Sequence, residues 1–306
     1  MKLILFLLLA LSPLSAVADD WPQWFGPRRD GVWRETGVLD KFPEGGPKVL
    51  WRTPIHRGYA GPAVVNNRVY LMDRQVDQSA EAKRQSARTG AQPGSERLLC
   101  LDSSTGKILW EQSYPCAYTM SYPAGPRVTP LVNEERVYTF GAEGLLLCRA
   151  AQDGAEIWQH NFKERFGIKT QTWGFAASPL IHGDLLICLA GGAGSTAVAF
   201  HKKTGKEIWR SLTAAQPGYC PPQLVSHKGR ELLIIWHPES VNALDPKTGK
   251  ELWSVPWKIR FGLSIPVPQM IDEDHLFLSS FYNGSMLLQL KADHSSPKIV
   301  YRTEQA

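Results

Sequence analysis

Apolar and polar positions alternate along this chain in short runs broken by turn residues, and one such run returns four times. Residues 98–110 read LLCLDSSTGKILW, 146–158 LLCRAAQDGAEIW, 197–209 AVAFHKKTGKEIW and 241–253 VNALDPKTGKELW. The closing tryptophans Trp110, Trp158, Trp209 and Trp253 are 48, 51 and 44 residues apart. A decayed fifth copy, QLKADHSSPKIVY, ends at Tyr301, another 48 residues on. Repetition at this period marks an architecture in which each unit buries its apolar face against the next.

Each copy predicts a hairpin. An apolar strand ends at Asp, a turn follows, and a second strand carries the aromatic residue. Gly106, Gly154, Gly205 and Gly249 stand where a type I turn with a bulge needs a positive φ. The Asp side chain caps the turn by accepting backbone N–H groups. Ala150 and His201 replace it in two copies, so that cap is helpful rather than essential. Upstream of each copy lies a second hairpin, with strands such as Arg136–Phe140, Leu185–Ala190, Leu232–Trp236 and Leu276–Ser280. Four short strands per unit describe a β-propeller blade, so the fold class is all-β. The acidic tips, such as Asp272-Glu273-Asp274, read as solvated turns, because consecutive residues do not converge on a cation.

The repeat resembles the pyrroloquinoline-quinone (PQQ, quinoprotein-type) propeller family, whose docking motif is A-x-D-x-x-T-G-K-x-x-W. Ala243 to Trp253 matches every specified position, and Cys100 to Trp110 all but the first. The opening Trp21-Pro22-Gln23-Trp24-Phe25-Gly26-Pro27 also looks like the start of secreted bacterial members. The resemblance implies docking roles for Trp51, Trp110, Trp158, Trp209, Trp253 and Tyr301, and for the four turn glycines. It also implies a propeller that is typically eight-bladed. Val49-Leu50-Trp51 reads as a spare outer strand that would complete a closing blade. The expected organisation is a signal peptide at 1–18, an opening segment with that outer strand at 19–51, and blades at 52–110, 111–158, 159–209, 210–253 and 254–301. Five blades would then form an open, incomplete part of the ring.

One aromatic precedes the first inner strand of each blade: Tyr59, Tyr122, Trp173, Tyr219 and Phe261. With Arg127, Lys169, Gln171 and Ser264 they form a candidate binding rim at one mouth. Packing between blades is the reading favoured for large aromatics; a rim of rigid anchors is the functional one. A quinone dehydrogenase of the resembling family would carry adjacent cysteines, a Glu/Asn/Asp calcium site, a catalytic Asp and a stacked Trp. No two cysteines are adjacent here, and no acidic residue stands in a recognisable calcium context. Neither an H-E-x-x-H nor a G-x-S-x-G motif occurs, and His182, His227 and His275 fall at hairpin turns that read as solvated. No catalytic or metal-ligating residue is assigned on this reading, and no cofactor is expected, although the resemblance allows PQQ.

Eleven Trp, 26 Gly and 22 Pro fit docking aromatics and repeated turns rather than helices. A net charge of +5 without a basic block points away from nucleic acid. The apolar run Leu3–Leu14, with Ala16-Val17-Ala18 after it, is too short to span a membrane and reads as a signal peptide cut after Ala18. Export would place five cysteines in an oxidising compartment. Cys100 and Cys148 read as buried small hydrophobes, whereas a disulfide stays open for Cys116 and Cys220. The expected function is a non-catalytic extracytoplasmic scaffold binding protein or an envelope polymer. It is similar to the propeller family of the outer-membrane β-barrel assembly machinery but lacks a lipid-anchor Cys. A PQQ-dependent oxidoreductase, or a degenerate relative of one, is the alternative, and carbohydrate binding on the rim a third.

Overall fold

A computed structural model describes residues 19–303. The expected signal peptide lies outside the described residues; among those described, no helix is long and apolar enough to cross a membrane. The chain forms five four-stranded antiparallel sheets, each an up-and-down meander of consecutive strands. Sheet one holds β1 (Ala63–Val65), β2 (Arg68–Val76), β3 (Gly94–Asp102) and β4 (Ile108–Pro115), with helix α1 (Ala80–Thr89) between β2 and β3. Sheet two holds β5 (Leu131–Asn133), β6 (Arg136–Phe140), β7 (Leu145–Ala150) and β8 (Glu156–Asn161), followed by α2 (Phe162–Phe166). Sheet three holds β9 (Leu180–His182), β10 (Leu185–Leu189), β11 (Ala197–His201) and β12 (Glu207–Ser211). Sheet four holds β13 (Gln223–His227), β14 (Arg230–His237), β15 (Ser240–Leu244) and β16 (Glu251–Pro256). Sheet five holds β17 (Gln269–Met270), β18 (His275–Ser280), β19 (Gly284–Gln289) and β20 (Lys298–Arg302). These sheets are the blades of an open propeller arc.

The repeated motif makes the hairpin its residues predict. In blade one Asp102 Oδ1 accepts the Thr105 N–H at 2.8 Å, the Gly106 N–H donates to the Asp102 carbonyl at 2.8 Å, and the register slips between Cys100 and Leu101. The same slip recurs in every blade. In blade five Pro297 stands where the other blades have glycine, and the turn takes another form, with a left-handed residue, His294 at φ 57°, directly after Asp293.

The tryptophans tie each blade to the next. Trp110 donates its Nε1–H to the Ala151 carbonyl at 3.3 Å, Trp158 to Lys202 at 3.1 Å and Trp209 to Pro246 at 3.2 Å. Every acceptor is the residue after the Asp position of the following blade, and each ring covers that blade's turn glycine. Burying one indole removes on the order of 150–250 Å² from water, about 4–6 kcal/mol as an upper bound. The core accordingly consists of apolar clusters between neighbouring blades, with Cys100, Cys148, Cys188 and Cys220 inside them. All five cysteines are free.

Two expectations change. Val49–Trp51 forms no strand, because among the described residues no inner strand lies beside it to complete a ladder, and Val49 and Leu50 are exposed. Trp51 docks all the same, its Nε1–H reaching the Ser103 carbonyl at 2.9 Å, and its ring covers Gly106. His227, expected in solvent, is buried, with Nε2 3.1 Å from Asp274 Oδ1.

The opening segment is a strap across the inner ends of four blades. Trp21 pairs with Val64 of blade one, and the Pro22 carbonyl accepts the Val132 N–H of blade two at 2.8 Å. Arg29 then donates to the Pro179 carbonyl before blade three at 2.8 Å and to Pro222 before blade four at 3.3 Å. Burial lowers the Arg29 pKa to about 10, so this cation is held by carbonyl dipoles rather than by water.

Candidate functional site

Four of the five rim aromatics come together through one arginine. Arg127 donates from Nε to the Trp173 carbonyl at 2.9 Å and from Nη2 to the Tyr122 carbonyl at 2.7 Å. Its guanidinium carbon lies 5.1 Å from the centre of the Tyr59 ring. Trp173 meets Tyr219 edge to face at 5.9 Å. Beneath them Gln171 both donates to the Gly218 carbonyl, at 3.1 Å, and accepts the Gly218 N–H, at 3.2 Å. Lys169 is exposed, and Ser264 is buried, its carbonyl accepting the Tyr219 N–H at 2.9 Å. Phe261 stands apart with Tyr282, 5.5 Å away, and Arg260.

Packing accounts for only part of this rim. Tyr219 is buried, but Tyr59, Tyr122 and Phe261 are 54%, 68% and 58% exposed. Tyr122 and Phe261 share a place before the first strand of their blades, and both have left-handed backbones, at φ 53° and 57°. A bulky side chain in that region is strained, and such strain persists where the surroundings over-determine it. At Tyr122 the carbonyl is fixed by Arg127 and by the Ala124 N–H at 2.8 Å. Left-handed aromatics carry no local sequence signal, which is why the packing expectation fails at these two positions.

Beside Tyr59 and Tyr122 opens a cleft of about 1580 Å³, walled by α1 and the long β2–β3 hairpin. In the sequence, residues 75–96 read as a polar insert, a surface loop or short helix, and α1 is that helix. The floor of the cleft includes Arg74, fully buried in β2, which donates from Nη1 to Gln92 Oε1 at 2.7 Å and to the Pro123 carbonyl at 3.1 Å. Arg74 also stacks 4.0 Å from the centre of the Tyr118 ring. Cys116 lines the same cleft. Burial first, and the nearby Glu96 carboxylate second, push its thiol pKa up, so it is a poor nucleophile at neutral pH.

Under the cleft two carboxyl groups join blades one and two. Glu96 accepts from the Tyr114 and Tyr118 hydroxyls and, at 3.0 Å, from the Ala142 N–H. Desolvation raises its pKa, and these donors oppose that rise. Glu143 accepts the Thr119 N–H at 2.9 Å and pairs with Lys163 Nζ at 2.7 Å. Both groups are saturated by donors from the chain itself. A quinone cofactor with its cation needs convergent oxygen ligands left free, and among the described residues no three His, Cys, Asp or Glu side chains converge so. Glu96 and Glu143 are therefore not free to hold such a cation.

A Ser–His contact in blade four is not a catalytic pair. Ser240 Oγ lies 3.1 Å from His237 Nε2, but His237 Nδ1 accepts the Glu239 N–H at 3.2 Å. The ring proton therefore sits on Nε2 and points at the serine, which donates in turn to Asn242 Oδ1 at 3.0 Å. A histidine in that tautomer cannot take the serine proton, and burial lowers its pKa further from protonation.

The family model described as outer membrane protein assembly factor BamB matches residues 94–290. A tetrathionate hydrolase from Acidithiobacillus ferrooxidans is 27% identical over 210 residues, covering 63% of this chain and 39% of that protein. Among solved structures, a quinohemoprotein alcohol dehydrogenase from Comamonas testosteroni superposes with a TM-score of 0.59 at 16% identity, covering 94% of this chain and 49% of that one. BamB from Moraxella catarrhalis gives 0.49 at 17% identity, covering 70% and 57%. The chain thus spans between 39% and 57% of the length of these proteins, and the likeness to the Comamonas testosteroni structure establishes the fold alone.

Proposed function

This chain belongs to the family of the outer membrane protein assembly factor BamB, and from that premise we propose that it is a non-catalytic extracytoplasmic scaffold. Its aromatic mouth docks a polymer chain, either a protein segment or an envelope polymer. The observation that carries this reading is the pair Tyr122 and Phe261, left-handed and more than half exposed at the same place in two blades. Rigid aromatic anchors on pinned loops bind at low entropic cost. The leader-like Leu3–Leu14 run supports export. The quinone-dependent alternative draws on the resemblance of the repeat motif and on the shared propeller fold.

The test compares folded wild type with Tyr122→Ala/Phe261→Ala on arrays of extended peptides and purified envelope polysaccharides. Retention by wild type that the double variant loses, at an unchanged melting temperature, supports the reading. Equal retention by both, or by neither, overturns it.

A further inference from the structure

Resting on the scaffold reading, we infer that the cleft beside blade one is a binding site for a neutral, hydroxyl-rich oligosaccharide. Its mouth is framed by Tyr59 and Tyr122, whose rings are mostly exposed. The loops that bear them are bonded to one another. The Tyr59 and Ala60 N–H groups both donate to the Pro126 carbonyl, at 2.8 and 3.0 Å. Gly125 lies so close to the backbone of Arg57 and Gly58 that no Cβ fits between the loops. The two rings are therefore preorganised platforms, suited to the flat apolar face of a sugar ring.

The opposite wall supplies amides. Gln75, Gln78 and Gln85 line the cleft, are exposed, and make no side-chain hydrogen bond among the described residues. Each presents a donor and an acceptor side by side, which is what a hydroxyl uses at once. The cleft is larger than the few hundred Å³ that hold a single small ligand, so an oligosaccharide fits better than one sugar.

Other ligands fit less well. Addition of a peptide strand needs a free backbone edge, and the edges here are taken. Arg74 N–H donates to the Arg57 carbonyl at 2.8 Å, Gln92 pairs with Tyr118, and Cys116 N–H donates to the Gly94 carbonyl at 2.7 Å. For an anionic ligand the cleft offers one exposed guanidinium, Arg57, whose charge Asp77 on the same lining offsets, while Arg74 is occupied by carbonyls.

Isothermal titration of the folded chain with cellohexaose, laminarihexaose and chitohexaose tests the assignment. At least one hexasaccharide binds wild type, and Tyr59→Ala and Tyr122→Ala each weaken it about tenfold. Trp33→Ala, which removes an exposed aromatic outside the cleft, leaves the affinity unchanged. Should the tyrosine variants unfold, Gln75→Ala/Gln78→Ala alters only exposed side chains and lowers the affinity about fivefold or more. Absence of hexasaccharide binding up to millimolar concentration, or binding indifferent to the cleft variants, overturns the inference. Peptides retained at the mouth without any hexasaccharide binding overturn the glycan assignment and leave the scaffold standing. PQQ-dependent dye reduction overturns the scaffold itself.

Discussion

Trp158 stands over Gly205, and a Cβ placed on that glycine would lie 2.8 Å from the indole. The ring also donates to the Lys202 carbonyl of the same turn. The glycine thus answers two demands at once, a left-handed φ of 71° and the approach of the preceding blade's indole. Gly205→Ala is expected to destabilise the fold by about 2–4 kcal/mol, from backbone strain plus overpacking. Gly183, at φ 57°, has open space where an alanine methyl would stand, with nothing within 4 Å, and so isolates the backbone cost. Its alanine variant should lose about 1–2 kcal/mol. Urea titration of the two variants checks the difference, and equal losses would show that the indole exerts no steric demand.

That double duty also explains what is legible in the chain. The turn signature D-x-x-T-G-K acts within a few residues, so the hairpins, the bulges and the identity of the docking tryptophans can be read directly. The acceptors of those tryptophans lie 37 to 52 residues away, and the Arg29 contacts 150 and 193 residues away. No local pattern encodes such pairings. The rim is legible by position, because aromatics recur before each blade. Its exposure is hidden, since nothing in the residues around Tyr122 or Phe261 announces a positive φ. Nothing in the residues between Arg74 and Gln92 signals that this stretch, with α1, walls a cleft.

Glu96 makes stability depend on pH. Its raised pKa means that the fold favours the protonated carboxyl over the ionised one. The resulting penalty is absent below the ordinary carboxylate value of 4.5 and grows as pH rises above it. Glu96→Gln keeps the shape and an oxygen for Tyr118 and Ala142 but does not titrate. Denaturation at pH 4 and pH 8 should show the variant gaining on wild type at the higher pH. A gap that is the same at both values would contradict the desolvated carboxyl.

Tyr122 couples strain to binding. Tyr122→Gly removes the cost of a bulky residue at φ 53° and is expected to raise stability by about 1 kcal/mol. The same change removes an exposed ring from the cleft mouth, so affinity for whatever docks there falls. Calorimetry on the variant reads both effects. A loss of stability with binding intact would place Tyr122 among the packing residues.

On the scaffold reading, this propeller binds without performing quinone chemistry. The most direct test is reconstitution of the purified chain with pyrroloquinoline quinone and Ca²⁺, followed by absorbance of the protein fraction and an artificial-dye assay with alcohols. We predict that no quinone co-purifies and no dye is reduced, because Glu96 and Glu143 are saturated by the chain's own donors. Stoichiometric quinone absorbance with substrate-dependent dye reduction would contradict the account.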